Sequence, residues 1–505
     1  MTDQGKSNPV WQRDLAIGYN KVANVLVAQG RLQEALNAYQ QGLNIRQRLA
    51  EQDKSNAGWQ RDLSISYSKI GEVLEAQGKL PEALDAYQQD LAIAKRLAEQ
   101  DKSNAGWQRD LSVSYNNVGD VLVAEGRLQE ALDAYQQSLA IAKRLAQLDK
   151  FNATWQGDLS LSYNKVGKVL EAQGKLPEAL DAYQESLDFR RRLVEQDKSN
   201  AGWQRDLTVS YNNVGDVLVA EGKLQEALNA YQESLDFQRR LVEQDKSNAG
   251  WQRDLSFSYE KVGNVLVAQG KLPEALDAYQ RSLKIHQTLA EQDKSNSGWQ
   301  RDLSVSYNKV GDVLMAQGKL PETLDAYQQS LAIAKRLAEQ DKSNSGWQRD
   351  LSVSYNKVGD ALVAQGKLPE ALDAYQQGLK IRQILAEQDK SNAGWQRDLS
   401  LSYDNVGDVL VAQGKFPEAL DAYQQSLRIR QVLAEQNKSN SDWQRDLIVS
   451  LYQVGATAAK IGGNDNVTRA QELLRTALGL ALVYSGRDRE QLINALSHSL
   501  QNLAH

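Results

Sequence analysis

"WQRDLSISYSKIGEVLEAQGKLPEALDAYQQDLAIAKRLAEQDKSNAG" fills residues 59–106 and then returns, little changed, along the chain. Its tryptophan recurs at Trp11, Trp59, Trp107, Trp155, Trp203, Trp251, Trp299, Trp347, Trp395 and Trp443, always 48 residues apart. A period of this size marks a stacked array of one small unit rather than several globular domains. The usual estimate of domain number from a length of 505 residues therefore does not apply.

Each unit reads as two helices. Trp59, Leu63, Tyr67, Ile70 and Leu74 follow the helical period and define one apolar face of a helix A. Gly78 is placed to end it, because glycine accepts the left-handed conformation that follows a helix terminus. Pro81 and Glu82 open a helix B, where proline loses no hydrogen bond and an acid meets the positive end of the helix dipole. Pro81, Pro177, Pro273, Pro321, Pro369 and Pro417 all hold this position, six of the seven prolines. Helix B carries Ala83, Leu84, Tyr87, Leu91 and Ala94 on its inner side. Ser55 and Asn56 suit the N-cap of the helix A that follows. The prediction is all-α, with two helices of about 20 residues per unit and almost no strand.

Composition removes whole classes of function. Net charge is -6, without the basic excess of a nucleic-acid binder. Cys is absent, so there is no disulfide, thiolate nucleophile or cysteine metal site. The 3 His are His286, His498 and His505, with no spaced pair for a metal. No apolar run reaches membrane-span length, and the start "MTDQGKSNPVW" has no signal-peptide core. Every carboxylate and serine recurs with the period, whereas a catalytic site needs one special constellation. The chain is read as a non-enzyme with no cofactor, no metal, no nucleic-acid partner and no membrane partner, and a cytoplasmic location is expected. Phe151, Thr154, Gly157, Lys168 and His286 depart from the repeat and read as drift.

Residues 64–93 resemble the tetratricopeptide repeat without a gap. Tyr67 stands at that family's first large aromatic, Ile70-Gly71 at its Leu-Gly pair, and Leu74 at its next large residue. Gly78, Ala83 and Tyr87 stand at its turn glycine, small alanine and helix B aromatic. One departure is length: the family's ordinary repeat has 34 residues, and this one has 48. The extra residues lengthen helix B and add the Trp-Gln-Arg-Asp start of helix A. Long-helix repeats of this kind resemble those of kinesin light chains and of bacterial signalling proteins. The resemblance implies a superhelical solenoid of ten two-helix repeats with a C-terminal capping helix. Residues 1–10 read as an interrepeat linker remnant, 11–442 as nine 48-residue repeats, and 443–505 as a divergent tenth repeat with its cap. In that cap Leu492, Leu496, Leu500 and Leu503 form one stripe. At the other end either the first repeat tolerates exposure or the chain is a fragment of something longer.

The resemblance also implies that one face of helix A lines a concave groove. Read across repeats, that face carries an apolar row from Ile17 to Val449. Beside it runs an amide row, Asn20, Asn116, Asn164, Asn212, Asn308 and Asn356, and an acidic row, Asp120, Asp216, Asp312, Asp360 and Asp408. A side-chain amide can both donate to and accept from a peptide backbone, and acids select basic residues. An extended peptide or partner protein is the expected ligand. The other reading is a solvated surface, with Lys69 and Glu72 pairing locally. An arginine row, including Arg109, Arg205, Arg301 and Arg349, either bridges to a neighbouring repeat's Asp or binds a carboxylate or phosphate. Gly157 would break that row. Trp59, Trp107 and Trp203 are expected to be core pegs; Gly71 and Ala83 let the helices approach, with Tyr87 between them. The alternative function is a structural or regulatory array within a larger bacterial signalling protein, self-associating or sensing rather than binding peptide.

Overall fold

Asn56 opens helix A of the second repeat: its Oδ1 accepts from the Trp59 amide at 3.1 Å, satisfying one of the free donors of the first turn. Ser55 instead donates to Asp53 Oδ1 at 2.6 Å, so Asn56 alone is the cap. The helix runs Ala57–Ala76. Gly78 then adopts φ +73°, and the Lys79 amide reaches back to the Leu74 carbonyl at 2.9 Å. Helix B follows as Leu80–Gln100, with Pro81 in its first turn. The computed structural model describes residues 8–503; among them this pattern yields 21 helices and no strand. Residues 1–7 of the segment read as a linker remnant, and His505, lie outside the described residues.

The chain forms two compact units, residues 1–251 and 252–505. Within each, helix A packs on its own helix B and helix B on the next helix A. The close approach inside a repeat depends on Gly71. A Cβ there would stand 2.6 Å from the Tyr87 ring, which is 2% exposed. Ala83 is fully buried beside it. The same glycine-on-tyrosine contact recurs at Gly167 with Tyr183 and Gly263 with Tyr279.

The tenth repeat ends differently. Gly462 and Gly463, at φ +76° and +85°, replace the usual turn before helix B, Asn464–Val483. The final helix, Arg489–Asn502, buries Leu496 in the same core as Leu474, with Leu492, Leu500 and Leu503 packed against it. This helix covers the apolar face that a following repeat covers elsewhere. Among the described residues no element covers the outer side of the first helix, Pro9–Ala28: Val22 and Val25 are more than half exposed, whereas Ile70 and Val73 at the same positions of repeat 2 are buried.

A buried polar seam runs between repeats. One helix B position holds Arg46, Arg190, Gln238, His286, Arg382 or Arg430, and alanine in the other repeats. His286 is not drift. It is 1% exposed and bonds Ser256 Oγ at 2.7 Å and Ser306 Oγ at 2.6 Å. Burial pushes its pKa down to about 4, so the ring is neutral. Where the position is alanine, small polar groups close the gap, as Ser112, Ser138 and Ser162 do in repeats 3 and 4. Repeat 2 uses a carboxylate instead. Asp90 accepts from Ser64 and Ser114, yet burial pushes its pKa up to about 6. The native state thus binds this proton more tightly than the unfolded chain. This contribution to stability is present at low pH and is lost as pH rises through about 4 to 6. Asp90→Ser, the residue of six other repeats, should raise the urea midpoint at pH 7, a gain of about 1–2 kcal/mol. The gain should vanish near pH 4.

Candidate helix A interaction face

In the second repeat the four residues Trp59 to Asp62, in the first two turns of helix A, all make contacts outside their own helix. Trp59 packs against Ile45 and Leu49 of the preceding helix B, Leu32–Gln52. Gln60 Nε2 donates to the Ala50 carbonyl at 2.9 Å, satisfying an otherwise free carbonyl in the last turn of that helix. Arg61 Nε donates to Asp110 Oδ2, which belongs to the next repeat, 49 residues on, at 2.5 Å. Asp62 receives Arg13 in the same way at 2.6 Å. Trp107 and Trp203, also expected to be core pegs, are half-buried, and their amides donate to the capping Asn104 and Asn200.

The arginine row is therefore a ladder of ion pairs within each unit. Arg109–Asp158 measures 2.5 Å, Arg301–Asp350 2.5 Å and Arg349–Asp398 2.7 Å. Its last rung is Arg445–Asp488 at 2.5 Å, in which the residue preceding the final helix supplies the acid. Gly157 does not break the ladder. Arg190 of helix B reaches Asp206 at 2.6 Å, taking the acid that an arginine at 157 would have met. Such half-exposed pairs contribute roughly 0.2–1 kcal/mol each, so their chief effect is on repeat alignment. Arg205 likewise carries an interaction.

Next to the ladder lies the apolar row. Ile17, Ile65, Val113, Leu161 and Val209 are exposed in the first unit, Val209 by 49%. Phe257, Val305 and Leu401 are exposed in the second. A second exposed row, nearly three turns farther along helix A, consists of Val27, Val123 and Val219, then Val267 and Val363. Nothing in the described chain covers either row.

The amide row sits deeper. Asn116 and Asn356 are buried and Asn20, Asn164, Asn212 and Asn308 half-buried. Their oxygens turn toward helix B: Oδ1 of Asn20 and Asn356 lies 2.9 and 2.6 Å from where a Cβ would stand on Gly42 and Gly378. The Oδ1 atoms of Asn116, Asn164, Asn212 and Asn308 are out of solvent without a protein partner. The acids are engaged as well. Tyr135 donates to Asp120 at 2.5 Å, Tyr327 to Asp312 at 2.6 Å, Tyr375 to Asp360 at 2.6 Å and Tyr423 to Asp408 at 2.5 Å. Lys165 and Lys357 of the following repeats bridge to Asp120 and Asp312. Asp216 is also partnered. Burial raises the carboxyl pKa of Asp360 and Asp408. Lys69 pairs with Glu72 at 2.7 Å. Side-chain reasoning from one helix found the rows but not these partners, which come from the tyrosine of helix B and the lysine of the next repeat.

Two tetratricopeptide repeat models match the chain, one over residues 14–96, 62–144, 110–192 and 302–384, the other over 207–245, 258–293 and 400–437. No curated protein matches it. Among solved structures, the apo form of RapI aligns at TM-score 0.50 and 13% identity, over 83% of this chain and 99% of that one. BtubC from P. vanneervenii aligns at TM-score 0.40 and 18% identity, over 51% of this chain and 92% of its own. Nearly identical repeats of a putative kinesin light chain from Podosopora anserina align at TM-score 0.36 and 16% identity, over 48% and 100%. These likenesses concern the fold. Among the described residues no helix is long and apolar enough to cross a membrane.

Proposed function

Because the chain belongs to the tetratricopeptide repeat family, whose repeats generally mediate protein–protein interaction, we propose that its helix A face binds an extended peptide segment of a partner protein. The family is typically a non-catalytic scaffold. One observation carries the reading: two uncovered apolar rows at one-repeat spacing, bordered by arginines and carboxylates. Scattered exposed apolar residues are ordinary on a protein surface, but contiguous rows mark interaction sites. Peptide side chains would seat on Val113, Leu161 and Val209, while the NH₂ groups of the amide row hydrogen-bond its backbone.

A random-peptide phage library panned on the full chain tests this. Enriched peptides should lose at least about tenfold in affinity when Val113, Leu161 and Val209 are together replaced by Asp. Thermal unfolding should move little, since exposed substitutions cost about 0.5 kcal/mol or less. These three make a cleaner test than the asparagines, whose burial would mix stability into the readout. Absence of any enriched peptide, or binding that survives the triple substitution, rejects the proposal.

A further inference from the structure

Phe151, which read as drift, shares a cavity with Phe189, a second departure from the repeat. A cavity of about 740 Å³ opens between helix B of repeat 3, Leu128–Leu148, and both helices of repeat 4, Ala153–Ala172 and Leu176–Gln196. Phe189 stands there where seven other repeats have isoleucine, and Phe151 where most have serine. Phe189 stacks on Tyr163 with ring centroids 6.0 Å apart. Phe151 is 84% exposed at the rim.

The phenylalanine also changes an arginine. In repeats 2, 3 and 7, Arg96, Arg144 and Arg336 donate to Gln60, Gln108 and Gln300 and tie helix B to helix A. In repeat 4 the corresponding Arg192 lies over the Phe189 ring, 5.0 Å from its centroid. Lys143 lies over the Tyr163 ring at 4.9 Å, and Lys150 completes the lining. None of these three cations has an ion pair among the described residues, and Glu195 is the one acid in the wall. Repeat 5 repeats the design: Phe237 stacks on Tyr211, with Arg191 and Arg240 over the two rings, around a cavity of about 530 Å³. Its wall holds two acids, Glu195 and Glu233. The same wedge in repeats 8 and 9 is aliphatic, with Ile384 and Val432 where the arginine stood.

We propose that the wedge between repeats 3 and 4, with its counterpart between repeats 4 and 5, binds a small aromatic anion. The volume falls in the range of small-molecule sites, about 300–1,000 Å³, and the wall combines apolar surface with a few convergent polar groups, as such sites do. Phe151 and Leu159 offer the ring a flat apolar seat. Arg192, Lys143 and Lys150 offer the anion charge-assisted donors already withdrawn from competing carboxylates. This site uses no residue of the helix A face and stands or falls separately from peptide binding.

Fluorescence titration of the full chain with anilinonaphthalene sulfonate, and with its neutral parent phenylnaphthylamine, tests the proposal. The sulfonate should bind at least about tenfold tighter than the neutral ring, the equivalent of about 1.4 kcal/mol. Two sulfonates should bind per chain, the tighter at the first wedge. Phe189→Ile installs the repeat's own residue and should remove one of them without loss of helicity. Arg192→Gln should weaken that site about tenfold, whereas Arg336→Gln in repeat 7 should change nothing. Equal affinity for the sulfonate and the neutral ring overturns the proposal. So does sulfonate binding that is indifferent to both Phe189→Ile and Arg192→Gln.

Discussion

Arg430→Ala is expected to destabilise the second unit by about 3–5 kcal/mol, because it strands a buried carboxylate. Arg430 is 3% exposed and Asp404 6%. The Arg430 Nη2 donates to Asp404 Oδ2 at 2.5 Å, Nη1 to Ser450 Oγ at 2.9 Å, and Nε to Ser400 Oγ at 3.2 Å. Even with this partner, burial pushes the Asp404 carboxyl up to about 6. Without it the carboxylate has no compensating charge. The native state would then bind the Asp404 proton more tightly still, so the loss should shrink as pH falls from 7 toward 5. The second substitution is dictated by the repeat. Repeats 3 and 7 combine Asn116 with Ala142 and Asn308 with Ala334 at these two positions. Arg430→Ala with Asp404→Asn should therefore recover most of the stability. Urea unfolding followed by helicity measures both variants. If the double variant is no more stable than the single one, the stranded charge is not the cause.

Gly71→Ala should cost about 1–3 kcal/mol through overpacking, although alanine is the better helix former. The added methyl would stand 2.6 Å from Tyr87 Cε1, and a ring locked at 2% exposure has no room to withdraw. Repeat 10 contains its own control. There Leu474 replaces the tyrosine, and a Cβ on Gly455 would meet the Leu474 Cγ at 3.0 Å. A branched aliphatic chain can give by a few tenths of an ångström, so Gly455→Ala should cost well under 1 kcal/mol. The comparison is made by thermal unfolding of the two single variants. Equal losses would show that the glycine serves backbone freedom rather than ring clearance.

Much of this was legible in advance, for a local reason. The spacing from Trp59 to Leu74 fixes one face of a helix. Gly78 and Pro81 punctuate the turn, and the recurrence of the unit transfers that reading to every repeat. The rows of the helix A face were legible for the same reason: a residue's direction from a helix follows from its number. What those residues touch was not. Asp120 read as a free acid and is held by Tyr135 and Lys165. Asn116 read as an outward amide and is buried with its oxygen unpartnered.

In "WQRD" the division is plain. The sequence by itself determined that tryptophan lies on the apolar stripe and that the four letters join one repeat to another; the aspartate, expected in the first turn of helix A, stands in the second, because the helix already begins at Ala57. Only the tertiary structure decided that arginine reaches forward to the next aspartate and that glutamine reaches back to a helix B carbonyl. It also decided that Arg190 stands in for the arginine missing at Gly157, and that Phe151 and Phe189 share one cavity. The physical reason is range. Helical period sets directions within a repeat, whereas a contact between repeats depends on the offset at which two helices pack. That offset is chosen by the side-chain volumes of both, and no spacing in one chain segment records it.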